Sequence, residues 1–527
     1  MHHVFEVGEI LRLIASCLVY EGREGAVSFA CCRKSFSVPT LDTLWGTSSF
    51  DLTRVLRTLP RSIWTISRRA FRFLREPSEE EWSRLSVYAW RVRRLTNSGP
   101  IILSKAALKL LNMRFSNGCM LPNLREIKWL RTSPEVLGLT LPLVVSPVLT
   151  NFRLSIRSRD HTIGAPQLIA ASKALTPAYN SLVEIRFCDP TIHDPRIIDT
   201  ASTILLKCNP EKLRSFHVHS VLSEEAFLHA AQLPNLEAFS VTMDATELEA
   251  PLPASMFPSL RSLVIRSTDT RLPLLQAIAH IQSKTFERLT LEFPAATLGT
   301  SIPRTLEALR HRSLHQTLSN LTISPEGRFN LDKAFVRPLL LLKELSYLTI
   351  GLVCTSPCPY RLSDEDFDGL VKAMPKLESL TFGKFPCSHP ANNTIRALAS
   401  VAKHCKHLKE LIIHTNVEAI IDGVSQRENW GSDLTAQEPF SPFVGCPLTN
   451  IVFGPCSIPN HQGAAVFALL LLRLFPRLKS VSVSFLTRDG PDPLWQLVDS
   501  LVNAYKGVST VMADAAHFYT AADEVVS

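Results

Sequence analysis

The sequence lacks the features that would place the protein in a membrane or in the secretory pathway. Its longest uninterrupted apolar run, Ala464–Leu472, has nine residues, whereas a membrane-spanning helix needs about 18 to 20. The first apolar segment, Ile10–Tyr20, is interrupted by Arg12 and is preceded by acidic rather than basic residues, so it does not resemble a signal peptide. We therefore expect a cytoplasmic or nuclear protein that has no membrane partner.

The sequence also lacks the motifs of the common catalytic and metal sites. It contains no glycine-rich phosphate loop, no nucleophile elbow and no metalloprotease helix motif. Its twelve cysteines are scattered, and none of them stands at the spacing of a structural zinc site. In a long chain without an export signal, we expect reduced thiols such as Cys405, which falls on the inward side of a predicted helix. We expect no enzymatic activity, no metal and no cofactor.

One short apolar pattern, in contrast, recurs thirteen times. Apolar residues stand at positions i, i+3 and i+5, as in Leu260, Leu263 and Ile265, and successive copies lie 29.5 residues apart on average. A period in this range is typical of a solenoid, because each unit can bury its apolar face only against its neighbours. The thirteen copies begin at Leu124, Leu149, Leu182, Leu213, Leu236, Leu260, Phe286, Leu318, Leu345, Leu377, Leu408, Leu448 and Leu478.

The pattern predicts one short strand in each repeat, because positions i+3 and i+5 of a strand share one face and position i+4 lies on the other. Several connections carry helix signals. Ser363 and Asn393 are candidate N-caps, and Asp194 precedes a proline at a first helical position. Strands that alternate with helices predict an α/β solenoid, with a parallel sheet on the concave side and helices outside.

Residues 5–45 are predicted to form a compact helical unit. Ile10, Leu11, Ile14 and Leu18 follow a helical period, and a polar, glycine-containing break at 21–25 ends the first helix. About forty residues bury little surface, so we expect this unit to need a neighbour or a partner for stability.

This unit resembles the F-box, in the form common among fungal F-box proteins with leucine-rich repeats. One position departs from the family, because Gly8 stands where a proline usually begins the first helix. The matching residues are Val7–Ile14, Leu18, Cys31–Phe36 and Leu44–Trp45.

The thirteen repeats resemble leucine-rich repeats over roughly three-quarters of the chain. The asparagine or cysteine that follows the strand in that family appears only as Asn416 and Cys456, so we expect irregular loops. The resulting domains are an F-box-like helical unit at 1–48, a basic helical linker or cap at 49–115, and a leucine-rich-repeat solenoid at 116–527.

The net charge of +8 is confined to residues 1–115, which hold eighteen Lys or Arg and ten Asp or Glu. From Arg54 to Arg75 the arginines recur at steps of three and four, as one face of a helix would, and Pro60 is expected to split that helix. Arginines interleaved with aromatics can bind nucleic acid. However, Glu76 and Glu79–Glu81 stand among them, and the aromatic spacing suits a core, so we favour a solvated face over packed aromatics.

The outward strand positions are candidates for a target-binding surface. Lys128, Arg153, Arg186 and His217 occupy these positions in the early repeats, whereas threonines occupy them later. Threonine is also a good strand residue, so the threonine row is interpreted as strand propensity. A polar insertion at 423–441 carries Trp430 and Phe440 within or beside it and is either a binding loop or a flexible segment.

The resemblance implies a substrate-receptor subunit of an SCF-type cullin–RING ubiquitin ligase. The helical unit would bind the adaptor subunit and, through it, the cullin, while the repeats would hold an unknown target protein. Two alternatives stay open: a repeat scaffold without a ligase link, and a nucleic-acid binder acting through 54–94, although we favour protein partners over nucleic acid. The expected adaptor-binding residues are Val7, Gly8, Ile10, Leu11, Ile14, Leu18, Cys32, Phe36 and Trp45.

Overall fold

The computed structural model divides the chain into two compact units, Met1–Thr242 with Phe257–Leu260, and Met243–Met256 with Arg261–Ser527. The residues that the structure describes are 7–97, 102–116, 118–130, 134–155, 165–188, 194–243, 253, 255–267, 278–293, 303, 306–307, 309, 314–325, 331–351, 362–383, 393–418, 420–421, 446–454, 456, 458–483 and 493–505.

The first unit begins with three helices that pack on one another, which confirms the predicted helical unit. They are α1 (Gly8–Glu21), α2 (Arg23–Cys32) and α3 (Lys34–Thr47). A single residue, Gly22, separates α1 from α2. Most of the buried residues are small, with Ala15 and Ala26 fully enclosed and Thr40 and Thr43 buried on α3, and only Leu11 and Trp45 are large.

The next part of the first unit is a small mixed layer. It contains α4 (Leu52–Leu56), β1 (Trp64–Ser67), β2 (Ala70–Phe73), α5 (Glu79–Ala89), β3 (Arg94–Asn97), β4 (Ile102–Leu103) and α6 (Lys105–Arg114). Strands β1 and β2 form an antiparallel hairpin, and β4 adds to β2 in parallel. Ser78 begins α5 with a capping box that includes Glu81.

The prediction of a helix face running from Arg54 to Arg75 is wrong. Arg54 lies on the short helix α4, but Arg68 lies in the turn of the hairpin and Arg72 lies on β2. The competing signal is the period-two alternation Trp64, Ile66 and then Phe71, Phe73, which a buried hairpin face produces and which the spacing of the arginines masked.

The remainder of the first unit alternates strands with helices. Strands β3 and β5–β9 pair in parallel with their nearest neighbours in chain order. The elements are β5 (Glu126–Leu130), α7 (Pro134–Val144), β6 (Asn151–Ser155), α8 (Ala165–Leu175), β7 (Glu184–Cys188), α9 (Pro195–Lys207), β8 (Ser215–Val221), α10 (Glu224–Gln232) and β9 (Ala238–Met243). Asp194 caps α9, and Pro195 is its first residue, as the sequence predicts.

The second unit repeats the same arrangement, and its eight strands also pair in parallel in chain order. Its elements are β10 (Ser262–Ser267), β11 (Arg288–Phe293), β12 (Asn320–Pro325), α11 (Lys333–Leu339), β13 (Tyr347–Ile350), α12 (Asp364–Ala373), β14 (Ser379–Phe382), α13 (Ile395–His404), β15 (Glu410–Ile413), β16 (Asn450–Phe453), α14 (His461–Leu474) and β17 (Ser480–Val483). A further helix covers 493–505.

All thirteen sequence repeats form parallel strands, so the predicted α/β solenoid is confirmed. Their inward residues are buried throughout, including Leu260, Leu263 and Ile265, and only Val483 on the last strand is half-buried. Burying three apolar side chains in each repeat supplies the continuous core that holds neighbouring strands in register. The structure adds one strand, β3, that the pattern missed because its third position is Asn97.

The predicted helix caps are partly confirmed. Ser363 caps α12, and its side chain accepts a hydrogen bond from the amide of Asp366. The prediction that Asn393 caps α13 is wrong by one residue, because Thr394 is the cap. Asn393 is instead fully buried, and its carbonyl accepts a hydrogen bond from the amide of Asn416. Among the described residues, no helix is long and apolar enough to span a membrane.

Candidate functional site

Helix α1 of the first unit is apolar on two sides. Leu11 and Ala15 point into the three-helix core and are buried. Ile10, Leu13 and Cys17 follow each other at steps of three and four residues on another side, and the same stripe continues to Tyr20. Leu13 is 66% exposed and Tyr20 is 94% exposed. A small unit that leaves such large apolar side chains in solvent offers a docking surface for a partner.

The structure divides the predicted adaptor-binding residues into those buried inside the helical unit and those that lie at its surface. Leu11 and Trp45 are buried, so they hold the helical unit together. Leu13, Cys17 and Tyr20 are exposed but were not among the predicted residues, although the few polar residues of α1 were a signal for a second apolar side. The other positions are Val7 and Cys32, which are exposed, Ile10, Ile14, Leu18 and Phe36, which are half-buried, and Gly8, which is the first residue of α1.

The helical unit is attached to the following layer through α3. The ring of Trp45 stacks on Phe50 with 4.5 Å between centroids and contacts Tyr88 at 5.3 Å. Beside this aromatic contact, Nε of Arg91 lies 2.8 Å from a carboxylate oxygen of Asp42. Apolar packing and an ion pair therefore both hold α3 in place, which leaves α1 as the more exposed helix.

The predicted target-binding residues of the early repeats lie side by side. Lys128, Arg153, Arg186 and His217 pair directly in register on β5 to β8. Neighbouring strands are about 4.8 Å apart, so these four side chains form a row across the strands. The row lies on the face of the strands opposite the buried residues, which we call the open face.

Glu184 lies between the two arginines of this row and is only 12% exposed. Its carboxylate is 2.9 Å from Arg153 and 2.5 Å from Arg186, and it accepts a hydrogen bond of 2.9 Å from Nδ2 of Asn151. The arginine side chains remain 38% exposed. The shared carboxylate therefore neutralises one of the two positive charges through ion-pair contacts with both guanidinium groups.

His217 ends the row as a neutral side chain at physiological pH. Burial, reinforced by the nearby Arg186, lowers the pKa of His217 to about 4. The open face of the first unit thus presents three cations and a neutral imidazole, together with two carboxylates: Glu184 is shared by the two arginines, and Glu126 lies 2.8 Å from Lys128.

The open face of the second unit is different in chemistry. Thr290, Thr322, Thr349 and Thr381 pair in register along β11 to β14, and Ile412 and Val452 continue the row. The structure does not describe the insertion at 423–441 or the predicted binding residues Trp430 and Phe440.

The thiols and histidines do not assemble into a chemical site in the described part of the chain. Cys405 is fully buried, as predicted, and burial raises the pKa of its thiol. Burial likewise raises the pKa of Cys456 to about 12, so both thiols are protonated and act as small apolar groups. Within the described ranges, no group of three or more His, Cys, Asp or Glu side chains could hold a metal ion.

No protein-family model and no curated protein matches the chain. A chain of the yeast Rad7 and Elc1 complex matches 73% of this chain and 83% of its own length, with 12% identity and a TM-score of 0.37. The TLR13–ssRNA13 complex matches 78% of this chain and 57% of its own, with 15% identity and a TM-score of 0.33. A Bacteroides fragilis protein matches 45% of this chain and 68% of its own, with 13% identity and a TM-score of 0.22. Because these scores are low, the repeat fold rests on the strands described above.

Proposed function

We propose that the chain is a substrate-receptor subunit of an SCF-type cullin–RING ubiquitin ligase. In this proposal the three helices bind the adaptor subunit, the repeats bind a target protein, and other subunits carry out the chemistry. The chain itself then needs no catalytic group, because its effect is to raise the local concentration of the target beside the ubiquitin-carrying enzyme.

The observation that carries this proposal is the outward apolar stripe of α1. Leu13 and Tyr20 are large and solvent-exposed on a small unit whose buried residues are Leu11, Ala15 and Ala26 with Thr40, Thr43 and Trp45 of α3. Protein interfaces draw most of their affinity from a few apolar or aromatic anchors. The F-box resemblance of the same helix supplies the identity of the partner.

The sharpest test is a single substitution on this stripe. Leu13→Asp should abolish retention of the adaptor in a pull-down from co-expression, because it places a charge within the apolar contact, while leaving the circular dichroism spectrum unchanged. Met113→Asp is the matched control, because Met113 on α6 is 70% exposed, close to the 66% of Leu13, but lies outside the helical unit. Point substitution is sharper than deletion of 1–48, which would also strip Trp45 from Phe50.

The interface should also survive salt. Apolar contacts persist at 0.5 M NaCl, where exposed charge pairs are screened within about 4–5 Å. Gly8→Pro should hold or raise adaptor affinity, since Gly8 is the first residue of α1 and a Cβ there would meet no atom within 4 Å. If the wild-type chain does not retain the adaptor at micromolar concentration, the ligase proposal is wrong and the repeat scaffold without a ligase link replaces it.

For the target, the open face of the first unit is the proposed contact surface. Lys128, Arg153 and Arg186 are partly exposed and adjacent, and they outnumber by one the two carboxylates that pair with them, Glu126 and Glu184. The remaining positive charge suits a partner that carries negative charge. Replacing all three by serine should remove the target from an affinity purification analysed by mass spectrometry and leave the adaptor bound. Loss of both partners together would argue against separate binding surfaces.

A further inference from the structure

Five arginines in and just before the β1–β2 hairpin are exposed and form no ion pair with any described residue. Arg57 and Arg61 precede the β1–β2 hairpin, Arg68 and Arg69 form its turn, and Arg72 lies on β2. We call these five residues the arginine cluster. Residues 35–104 contain eleven arginines and no lysine, so this region uses only the side chain that binds phosphate and carboxylate in a bidentate manner.

Two of the four glutamates that follow the cluster in sequence are bound to cations outside it. Glu81 lies 2.7 Å from Arg75 and also caps α5 through Ser78. Glu79 lies 2.5 Å from Arg114 on α6. Glu81 therefore offsets Arg75, as the sequence predicts, and Glu79 offsets an arginine of α6. Neither of them pairs with the arginine cluster, and of the four glutamates Glu76 and Glu80 have no ion pair in the described chain.

The aromatic rings of the hairpin are packed, as the sequence predicts, whereas Trp90 at the end of α5 is 61% exposed. Trp64 and Phe71 are buried and stack on each other at 5.5 Å. The guanidinium groups of Arg61 and Arg57 lie 4.0 and 5.6 Å from the centroid of the Trp64 ring. These cation–π contacts hold the two arginines in position and close the ring to a stacking nucleobase.

The turn of the hairpin holds two arginines in a backbone conformation that arginine rarely adopts. Arg68 and Arg69 have φ angles of 49° and 61°, the left-handed region that two-residue hairpin turns require and that Asn-Gly fills with least strain. Both residues are arginine here. Strained backbone positions cluster at functional sites, which points to a role for these two charges beyond closing the turn.

We propose that the arginine cluster binds the phosphate backbone of double-stranded nucleic acid without sequence preference. A duplex supplies a dense line of negative charge, about one charge per 1.7 Å of its axis, which complements several guanidinium groups held on one small hairpin. Single-strand binding would need exposed rings on which bases stack, and the hairpin buries its rings. The site is separate from adaptor docking and does not require it.

The test uses the full-length chain and a fluorescein-labelled 24-base-pair duplex of random sequence, with anisotropy measured from 50 to 200 mM NaCl. Each phosphate contact contributes a slope of about −0.9 to the logarithm of the binding constant against the logarithm of salt concentration. Contacts by all five arginines should therefore give a slope of about −4 to −5. A slope near zero would overturn the proposal.

The decisive variant is Arg68→Asn together with Arg69→Gly, because it removes two charges and relieves the strained turn. Its unfolding temperature should match or exceed that of the wild type, so lost binding cannot be blamed on misfolding. The salt slope should become shallower by about 1.8, and affinity at low salt should fall on the order of tenfold or more. Unchanged affinity would overturn the proposal.

A matched control removes two arginines elsewhere. Arg261 and Arg477 are exposed and form no ion pair with described residues, so Arg261→Gln with Arg477→Gln changes net charge equally and should leave the slope intact. Competition with poly-L-glutamate tests whether the cluster binds an acidic protein instead of nucleic acid. If poly-L-glutamate displaces the duplex at an equal concentration of charge, the cluster recognises acidic proteins and the nucleic-acid proposal is wrong.

Discussion

At the outward position between the two buried residues of each strand, the first unit carries Lys128, Arg153, Arg186 and His217 on β5 to β8, whereas the second unit carries threonine and aliphatic side chains on β10 to β16. The second unit does carry a charged pair one step further along its strands, at Arg266 and Glu292. On β6 and β7 the open face presents Arg153, Glu184 and Arg186. At the equivalent positions of β13 and β14 it presents Thr349 and Thr381. The inward positions of the two units do not differ in this way, since both are filled by leucine, isoleucine, valine and phenylalanine.

The difference shows which positions specify the fold and which are free to specify a partner. Apolar burial stabilises a repeat whatever the outward residue is, because alternate residues of a strand point to opposite faces. The outward residues then vary at little cost to folding. A charged row in one unit and a neutral row in the other therefore indicate different surfaces on one kind of scaffold.

The largest effect should come from cavities in either unit. Phe216→Ala in the first unit and Leu263→Ala in the second remove fully enclosed side chains, so each should lower the free energy of unfolding by about 2–5 kcal/mol in urea titrations. The conservative Leu263→Met should cost less than about 1.5 kcal/mol. If one alanine variant is neutral, the two units do not share the same buried pattern.

Acid should destabilise both units. Burial lowers the pKa of His414 in the second unit to about 4. Burial, together with the positive charge of Arg186, also lowers the pKa of His217 in the first unit to about 4. In the unfolded chain both histidines are protonated near pH 6.5, whereas in the folded protein they stay neutral down to about pH 4. The free energy of unfolding therefore keeps its full value above pH 6.5 and decreases as the pH falls towards 4. For His414, which is 6% exposed, the loss is about 3 kcal/mol.

Urea titrations from pH 7.5 to 4.5 separate the two histidines. His414→Gln and His217→Gln should each flatten the pH dependence, since glutamine does not titrate. Added salt should weaken only the His217 contribution, because part of it comes from the charge of Arg186. Equal salt sensitivity of both variants would contradict the assignment of these causes.

The inward residues were readable from sequence because burial leaves a periodic pattern. The hairpin at Trp64–Phe73 could not be predicted, because two patterns overlap there: the arginines repeat at helical spacing, and the aromatics alternate at strand spacing. The structure follows the aromatics because they are the residues that become buried. Strand β3 was missed for a related reason. Its Asn97 breaks the apolar triplet, while parallel pairing with β5 still forms the strand.

The candidate surfaces depend on side-chain partners that sequence does not show. The row from Lys128 to His217 could be predicted, because outward positions follow from the repeat. Two ion pairs could not be predicted, because they join residues from different elements. Glu184 is shared by two arginines, and Glu79 is bound by Arg114. The same holds for α1, where only packing shows that Leu11 is buried and Leu13 is exposed.

The charged row should itself contribute to stability. Glu184→Gln leaves Arg153 and Arg186 adjacent without their shared carboxylate, so it should cost about 1–2 kcal/mol in urea titrations. The matched substitution in the second unit is Glu292→Gln, which removes a more exposed carboxylate that pairs with a single arginine, Arg266, and should cost less than about 1 kcal/mol. A larger loss of free energy of unfolding for Glu292→Gln than for Glu184→Gln would contradict this prediction.

The smallest effect should come from the neutral row. Thr349 lies between Thr322 and Thr381 on neighbouring strands and is half-buried. Threonine and valine share a β-branched shape that suits strands, so Thr349→Val should change the free energy of unfolding by no more than about 0.5 kcal/mol. Thr349→Gly should cost about 1 kcal/mol, because glycine loses that shape and adds chain entropy to the unfolded state. This pair of variants separates strand propensity from recognition. If Thr349→Val instead weakens retention of the target protein while stability stays constant, the neutral face also binds the partner, and the contrast between the two units is one of chemistry rather than of function.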